Sequence, residues 1–262
     1  MIYIILKWIA IVIGVIIVLV LLFIIGLLVH MLREPKTFEI RNPPPPDVLP
    51  LLAFGTILLG SLEPLRSLKL PDDSKQTMKD KLRDVWGVTD RQSACSMVED
   101  LIAAEVHCSD NSHYLPAVLS GDRAALEKTM AARYGVHPGY ISDLASQMLK
   151  HYKILKRMSW LPGFKKKELA ACKSINAWDY DRGGYIARIC CRAGYISESE
   201  CVEYLKRISQ IAKNEFTSWQ EYAVSYLTGR CICYGTDYWP LMFHIVRRRL
   251  KSKNSLWKQF PL

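Results

Sequence analysis

Residues 197–211 read Ser-Glu-Ser-Glu-Cys-Val-Glu-Tyr-Leu-Lys-Arg-Ile-Ser-Gln-Ile, and they set the class of the whole chain. Ser197 followed three residues later by Glu200 is a capping box. The serine hydroxyl accepts from the third backbone amide, while the glutamate reaches back to the serine N–H. Val202, Leu205, Ile208 and Ile211 then recur every three residues, which places them on one face of a helix. The same pattern continues on both sides. Upstream, Thr89-Asp90-Arg91-Gln92 has the form of a second capping box, with Ala94, Met97, Val98, Leu101 and Ile102 on one face behind it. Residues 122–133 and 142–158 carry helical spacing, the first stretch ending before Gly135. Downstream, Thr217-Ser218-Trp219-Gln220 opens a helix expected to stop near Gly229, and a last helix is expected over 238–250. No stretch alternates apolar and polar residues between hairpin turns. The expected fold class is mostly α: an N-terminal single transmembrane helix plus one compact multi-helix soluble domain.

The transmembrane expectation rests on the run from Trp8 to Val29, which is uncharged and almost wholly Ile, Val and Leu. A helix rises about 1.5 Å per residue and a bilayer core is about 30 Å thick, so roughly 20 such residues cross it. A secretory leader has an apolar region of about 7–15 residues and a small-residue cleavage site. This run is longer and passes through Leu27, Leu28, Val29, His30, Met31 and Leu32 without such a site. The domains expected are an anchor over 1–33, a Pro-rich linker over 34–47 and a helical soluble domain over 48–262. Only Lys7 precedes the span, whereas Arg33, Lys36 and Arg41 follow it. The positive-inside rule then puts the C-terminal domain in the cytoplasm, on a single-pass protein of a bacterial inner membrane. Pro43 to Pro46 should form a stiff polyproline II spacer. Leu49–Leu62 is apolar but interrupted by Pro50 and Gly55, and reads as a buried core helix rather than a second span.

The chain has 262 residues, of which 50% are hydrophobic and 23% charged, enough beyond the anchor for one sizeable core. Its formal net charge is +10, concentrated at Lys165-Lys166-Lys167, at Arg247-Arg248-Arg249 with Lys251 and Lys253, and over Lys150, Lys153, Lys156 and Arg157. For a tethered domain the simplest partner for such charge is an anionic lipid surface, at about 1 kcal/mol per nearby basic residue. Nucleic acid is disfavoured, because the chain has an anchor and lacks the aromatic-basic motif of a nucleic-acid module. Eight cysteines stand at 95, 108, 172, 190, 191, 201, 231 and 233. Most lie within apolar helical patterns, where a free thiol behaves as a small core hydrophobe, so they read as mainly reduced.

The densest chemistry is Trp178-Asp179-Tyr180-Asp181-Arg182 running on to Arg188. Two carboxylates beside two arginines are able to bind a phosphate or act as acid and base. The reading that starts ahead is a partly buried ion-pair network that orients one helix on the next, since buried charge must be paired in any fold. Trp219, Tyr222 and Tyr226 repeat at three and four residues, forming a stripe that packs in a core or, if exposed, anchors an interface. The candidate binding residues are therefore Trp178, Asp179, Arg182, Arg188, Trp219, Tyr226 and Arg230. Metal ligation is poorly served. Cys231-Ile232-Cys233 lacks the gap of a zinc knuckle, and His107, Cys108 and His113 form only a weak set. Vicinal Cys190-Cys191 reads as flanking or core thiols, and Gly183-Gly184 as a site of close helix packing. No cofactor, no metal and no nucleophile with a base are expected, so no catalytic residue is assigned.

The stretches AWDYDRGGYIARICCRAGYISESE (177–200) and FTSWQEYAVSYLTGR (216–230), preceded by WGVTDRQSACSMVEDL (86–101), together resemble an uncharacterised bacterial family, domain of unknown function 1266. The resemblance spans roughly residues 80 to 235. The family's recurrent positions fall on Trp86, Trp178, Asp179, Arg182, Arg188, Gly194, Tyr195, Trp219, Tyr226, Gly229 and Arg230. Where the family places an aromatic directly after Arg230, this chain has Cys231-Ile232-Cys233 before Tyr234. The resemblance implies bacterial origin and a helical domain, and it implies no activity. The leading expectation is a membrane-tethered protein-interaction domain, its partner bound near the 179–188 and 219–230 helices. One concrete form is an immunity or accessory protein for a secreted toxin. The alternatives are a hydrolase or phosphate-handling enzyme using Asp179, Asp181, Arg182 and Arg188, or a binder of anionic lipid or nucleic acid.

Overall fold

The computed structural model describes residues 2–32, 44–59, 68, 75–135, 137–234 and 239–262, with side chains in the first helix only for Trp8 and 11–26. The chain divides into two units, Met1–Thr37 and Phe38–Leu262. The first contains α1 (Ile2–Leu32), an unbroken helix. Trp8 and the described apolar side chains from Ile11 to Ile25 are all exposed, by 45–67%. Among the described residues no helix is long and apolar enough to cross a membrane.

Among its described residues the second unit is mostly helical and has no strand. In chain order it holds α2 (Lys75–Trp86), α3 (Arg91–Ile102), α4 (Cys108–Asn111), α5 (Leu115–Ser120), α6 (Arg123–Tyr134) and α7 (Pro138–Met158). There follow α8 (Lys166–Ala170), α9 (Ala177–Ala193), α10 (Glu198–Glu215), α11 (Trp219–Cys233), α12 (Trp239–Lys251) and α13 (Leu256–Gln259). The cap of α10 is as read: Glu200 N–H donates to Ser197 Oγ at 3.2 Å and Ser197 N–H to Glu200 Oε2 at 2.8 Å. The cap of α3 falls one residue later than expected. Asp90 is the cap, its Oδ1 accepting Ser93 N–H at 2.8 Å, because an ionised carboxylate suits the orphan amides better than Thr89. Helix α7 begins four residues before Ser142, since Pro138 tolerates the first helical position and His137 Nδ1 accepts Gly139 N–H at 3.2 Å.

Two expectations need correction. Helix α11 does not stop at Gly229 but runs on to Cys233. That glycine serves packing: a Cβ there would stand 2.7 Å from both Ile175 O and Trp178 Cβ. The apolar segment after the prolines is not an α-helix. It is a short 3-10 turn, Leu49–Ala53, followed by turns to Leu59, and its last expected residues, 60–62, lie outside the described residues. Pro50 opens the turn and Gly55, at φ +77°, ends it in the left-handed region that L side chains avoid. Most of the expected linker over 34–47 also lies outside the described residues. At its end the polyproline strand has given way to a turn, Val48 N–H donating to Pro45 O at 2.9 Å.

Helix α9 is the axis of the domain, with α2, α3, α10 and α11 packed around it. Every residue of α9 except Arg192 is buried. The two adjacent glycines make this enclosure possible. A Cβ on Gly183 would sit 3.4 Å from Leu101 Cβ and Ile208 Cδ1, so α3 and α10 close on that side. On Gly184 it would sit 2.9 Å from Gly55 N, so the 54–55 backbone lies directly on the helix. Around this axis, Trp219 stacks on Trp257 at 4.6 Å, while Tyr222 meets Phe54, Phe216, Trp219 and Trp257 edge-on. Indole N–H groups tie two further segments to this core, Trp219 Nε1 donating to Phe260 O at 2.8 Å and Trp257 Nε1 to Ala53 O at 2.9 Å. All eight cysteines are free thiols, and only Cys95 and Cys233 are partly exposed.

Candidate functional site

A helix with only Arg192 reaching the surface, and with two aspartates and two arginines buried, must satisfy those four charges inside the protein. The two aspartates of α9 do so in opposite directions. Asp181 Oδ1 accepts Gly55 N–H at 3.0 Å and Oδ2 accepts Leu58 N–H at 3.2 Å. Arg249, from α12, donates to Thr56 O at 3.1 Å in the same segment. Asp181 thus holds the irregular 53–58 backbone against α9, where no helix or sheet ladder supplies acceptors. Complete burial pushes its carboxyl up to about 7, against the pull of the Leu58 and Gly55 amides and the Arg249 charge.

Asp179 faces α4. Its Oδ2 accepts the backbone N–H groups of His107 and Cys108, both at 3.0 Å, and its Oδ1 accepts Arg182 Nη1 at 2.8 Å. The same Nη1 lies 2.9 Å from His107 Nδ1. An arginine has no acceptor to offer, so His107 Nδ1 is the acceptor and the ring proton sits on Nε2. Burial and then the Arg182 charge hold the His107 pKa below its usual value, which fits this neutral tautomer. The Arg182 guanidinium is sandwiched 4.9 Å from the Trp86 ring and 5.0 Å from the Trp178 ring. Arg230 lies 5.5 Å from the same Trp178 ring and 5.9 Å from the Tyr234 ring. Tyr226 packs edge-on to Trp178 at 5.1 Å. The result is a stack that alternates aromatic rings and guanidiniums, with Asp179 as its carboxylate.

The structure therefore brings five of the seven candidate residues together: Trp178, Asp179, Arg182, Tyr226 and Arg230. It does not bring Arg188 or Trp219 to that cluster. Arg188 is fully enclosed two turns further along α9, where burial lowers its pKa to about 10 against the influence of Cys201 and Asp181. Trp219 belongs to the Trp257 stack. All seven side chains are at least nine-tenths buried. His107, Cys108 and Tyr234 complete the cluster without having been singled out for it. Their pairing with α9 crosses about seventy residues in one case and a helix end in the other, and no local pattern marks it. The contact of Trp86 with Arg182 had a signal only through the resemblance, which places Trp86 and Trp178 among the family's recurrent positions.

Among the described residues no three of His, Cys, Asp and Glu converge as metal ligands. Among the described residues, two clefts open elsewhere. One of about 330 Å³ lies between α8, the end of α10 and the start of α11, lined by Glu168, Lys173, Glu215, Phe216 and Glu221. Its carboxylates are already engaged: Glu215 accepts from Asn176 and Tyr180, and Glu221 from Thr217. The other, of about 350 Å³, is lined by Ala104, Ser109, Ser112, Lys173 and Asn176. Neither is lined by Asp179, Asp181, Arg182 or Arg188.

A single sequence-family profile matches residues 81–262, a range that takes in Trp86, α4, α9 and α11. The chain belongs to the family described as Protein of unknown function (DUF1266). The match continues past Arg230 to Leu262, beyond the stretch over which the resemblance is legible, so the Cys231-Ile232-Cys233 insertion before Tyr234 does not end the family domain. Helix α1 and the 49–59 segment lie outside the match. No curated protein and no solved structure matches the chain.

Proposed function

We propose that the chain is a single-pass protein of a bacterial inner membrane that holds a non-catalytic interaction domain at the cytoplasmic face. The observation that carries this reading is α1, 31 consecutive helical residues whose described apolar side chains are all exposed. At about 1.5 Å per residue such a helix is longer than the roughly 30 Å hydrocarbon core, and its Ile, Val and Leu side chains need lipid around them. The charged groups of the family motif support binding over chemistry. Asp179 and Asp181 are spent on backbone amides, Arg182 on Asp179 and two indoles, and neither cleft reaches them. Free thiols and the excess of basic residues after α1 both favour a cytoplasmic domain.

Two measurements test the two halves of this proposal. Membranes carrying the full chain should retain it through alkaline carbonate washing, and a fluorescent protein fused after Leu262 should fluoresce in the cytoplasm. Release by carbonate would refute the anchor, and a dark fusion would refute the orientation. Purified in mild detergent from native cells, the chain should bring down a stoichiometric protein partner; recovery of the chain alone would refute the interaction role.

A further inference from the structure

Two basic runs that flank one loop and a third, from much later in the chain, meet around that loop. On α7, Lys150, Lys153 and Arg157 are exposed at positions i, i+3 and i+7, which places them on one helix face. The helix then runs into the 159–164 turn, where Trp160 is 68% exposed. Lys165, Lys166 and Lys167 follow, all exposed. The end of α12 lies against this turn: Arg247 Nη1 donates to Leu161 O at 3.0 Å, and Lys251 Cε lies 3.4 Å from where a Cβ on Gly163 would stand. Arg247 and Lys251 are exposed, and Arg248 is partly so.

No Asp or Glu occurs from 144 to 167 or from 238 to 262. Thirteen Lys and Arg lie within those two stretches, more than the whole net charge of +10, so the rest of the chain is net acidic. The positive field acts on its surroundings. After burial, the charges of Arg248, Arg247 and Arg249 are what hold the His244 pKa below its usual value. Among the described residues none of Lys150, Lys153, Arg157, Lys166, Lys167, Arg248 or Lys251 is held in an ion pair by a carboxylate of the domain.

We infer that this face, centred on Trp160 between the end of α7 and the end of α12, docks on the anionic headgroups of the bilayer in which α1 is anchored. The inference rests on the anchor reading. Residues 33–47 span at most about 50 Å when fully extended, so a tethered domain stays close to the leaflet, and a tether of that length acts as an effective concentration near the millimolar range. Each basic residue brought to an anionic surface strengthens binding about fivefold. An exposed indole between such charges has the amphipathic character of side chains that settle at the headgroup level.

The test uses the full chain in lipid nanodiscs, read by hydrogen exchange. In discs containing phosphatidylglycerol, peptides covering 159–167 and 247–253 should exchange several-fold more slowly than in pure phosphatidylcholine. That protection should vanish in 0.5 M salt and in the Lys153→Gln, Arg157→Gln, Lys166→Gln variant, whose substitutions are all at exposed positions. Equal exchange in both lipids overturns the inference. So does protection by added RNA or an acidic peptide in place of anionic lipid. If the chain escapes the discs under carbonate, the anchor reading has failed separately. Sedimentation of the free chain with anionic against neutral vesicles then decides the face on its own, and equal sedimentation overturns it.

Discussion

The adjacent glycines of α9 allow the packing argument to be tested with an internal control. Gly183→Ala and Gly184→Ala place the same methyl one residue apart in the same helix, and each gains about 1 kcal/mol of helix propensity. What lies opposite differs. At Gly183 the new Cβ meets two side-chain carbons, Leu101 Cβ and Ile208 Cδ1, at 3.4 Å, which is ordinary contact. At Gly184 it meets backbone, Gly55 N at 2.9 Å and Phe54 C at 3.0 Å, and that backbone is tied to the same helix through Asp181. Relief requires lifting the 54–58 segment. Overpacking costs about 1–3 kcal/mol, and weakening an amide–carboxylate bond adds about 1.5–3 kcal/mol. After the propensity gain, Gly184→Ala should destabilise the domain by about 1.5–5 kcal/mol, lowering Tm by roughly 3–20 °C for a domain of this size. Gly183→Ala should leave Tm unchanged or raise it by a few degrees. Thermal unfolding of the full chain in detergent, followed by near-ultraviolet circular dichroism, reads both. A Gly184→Ala variant as stable as the parent would show that the segment does not rest on α9 and would refute the reasoning.

Asp181 should make folding weaken as pH rises. Its folded carboxyl titrates at about 7 against an ordinary 3.8, so between these values the native state binds the extra proton and each step upward in pH costs stability. Urea unfolding at pH 5 and pH 8 should show that loss in the parent and a smaller one in Asp181→Asn; identical losses would count against it. Replacing Arg182 by Gln removes a charge that holds His107 down, so the His107 pKa should rise in nuclear magnetic resonance titration. An unchanged or lower value would contradict the Arg182–His107 contact. Trp219→Phe forfeits the indole bond to Phe260 O and part of the Trp257 stack. A loss of about 1–2 kcal/mol is expected, together with faster carboxypeptidase trimming of the tail. Trimming at the parent's rate would mean that the tail is held by other contacts.

Much of the fold was legible because it is local. A capping box is a four-residue event, and Ser197 with Glu200 behaves in the folded domain as its spacing dictates. The buried thiols and the Trp219–Tyr222–Tyr226 stripe follow from apolar periodicity in the same way. The errors fall where a distant element overrides a local signal. Gly229 looks like a helix stop, but α11 continues through it, and the glycine instead leaves room for Ile175 O and the Cβ atoms of Ile175 and Trp178. Leu49–Leu62 has the composition of a core helix, yet Pro50 and Gly55 break it into turns whose amides are satisfied by Asp181, over 120 residues away.

The sequence by itself determined the helical class, most helix bounds, the apolar run of α1, the positive charge and the family signature, all of which depend on neighbours within a few turns. Only the tertiary structure decided what the signature residues do. Asp179, Arg182 and Trp178 are locked into a stack with His107, Trp86 and Arg230, and the three basic runs meet at Trp160. Both arrangements depend on which helices cross α9 and on where α12 returns. Such contacts are fixed by the burial of whole faces against one another, a property no single stretch of chain carries.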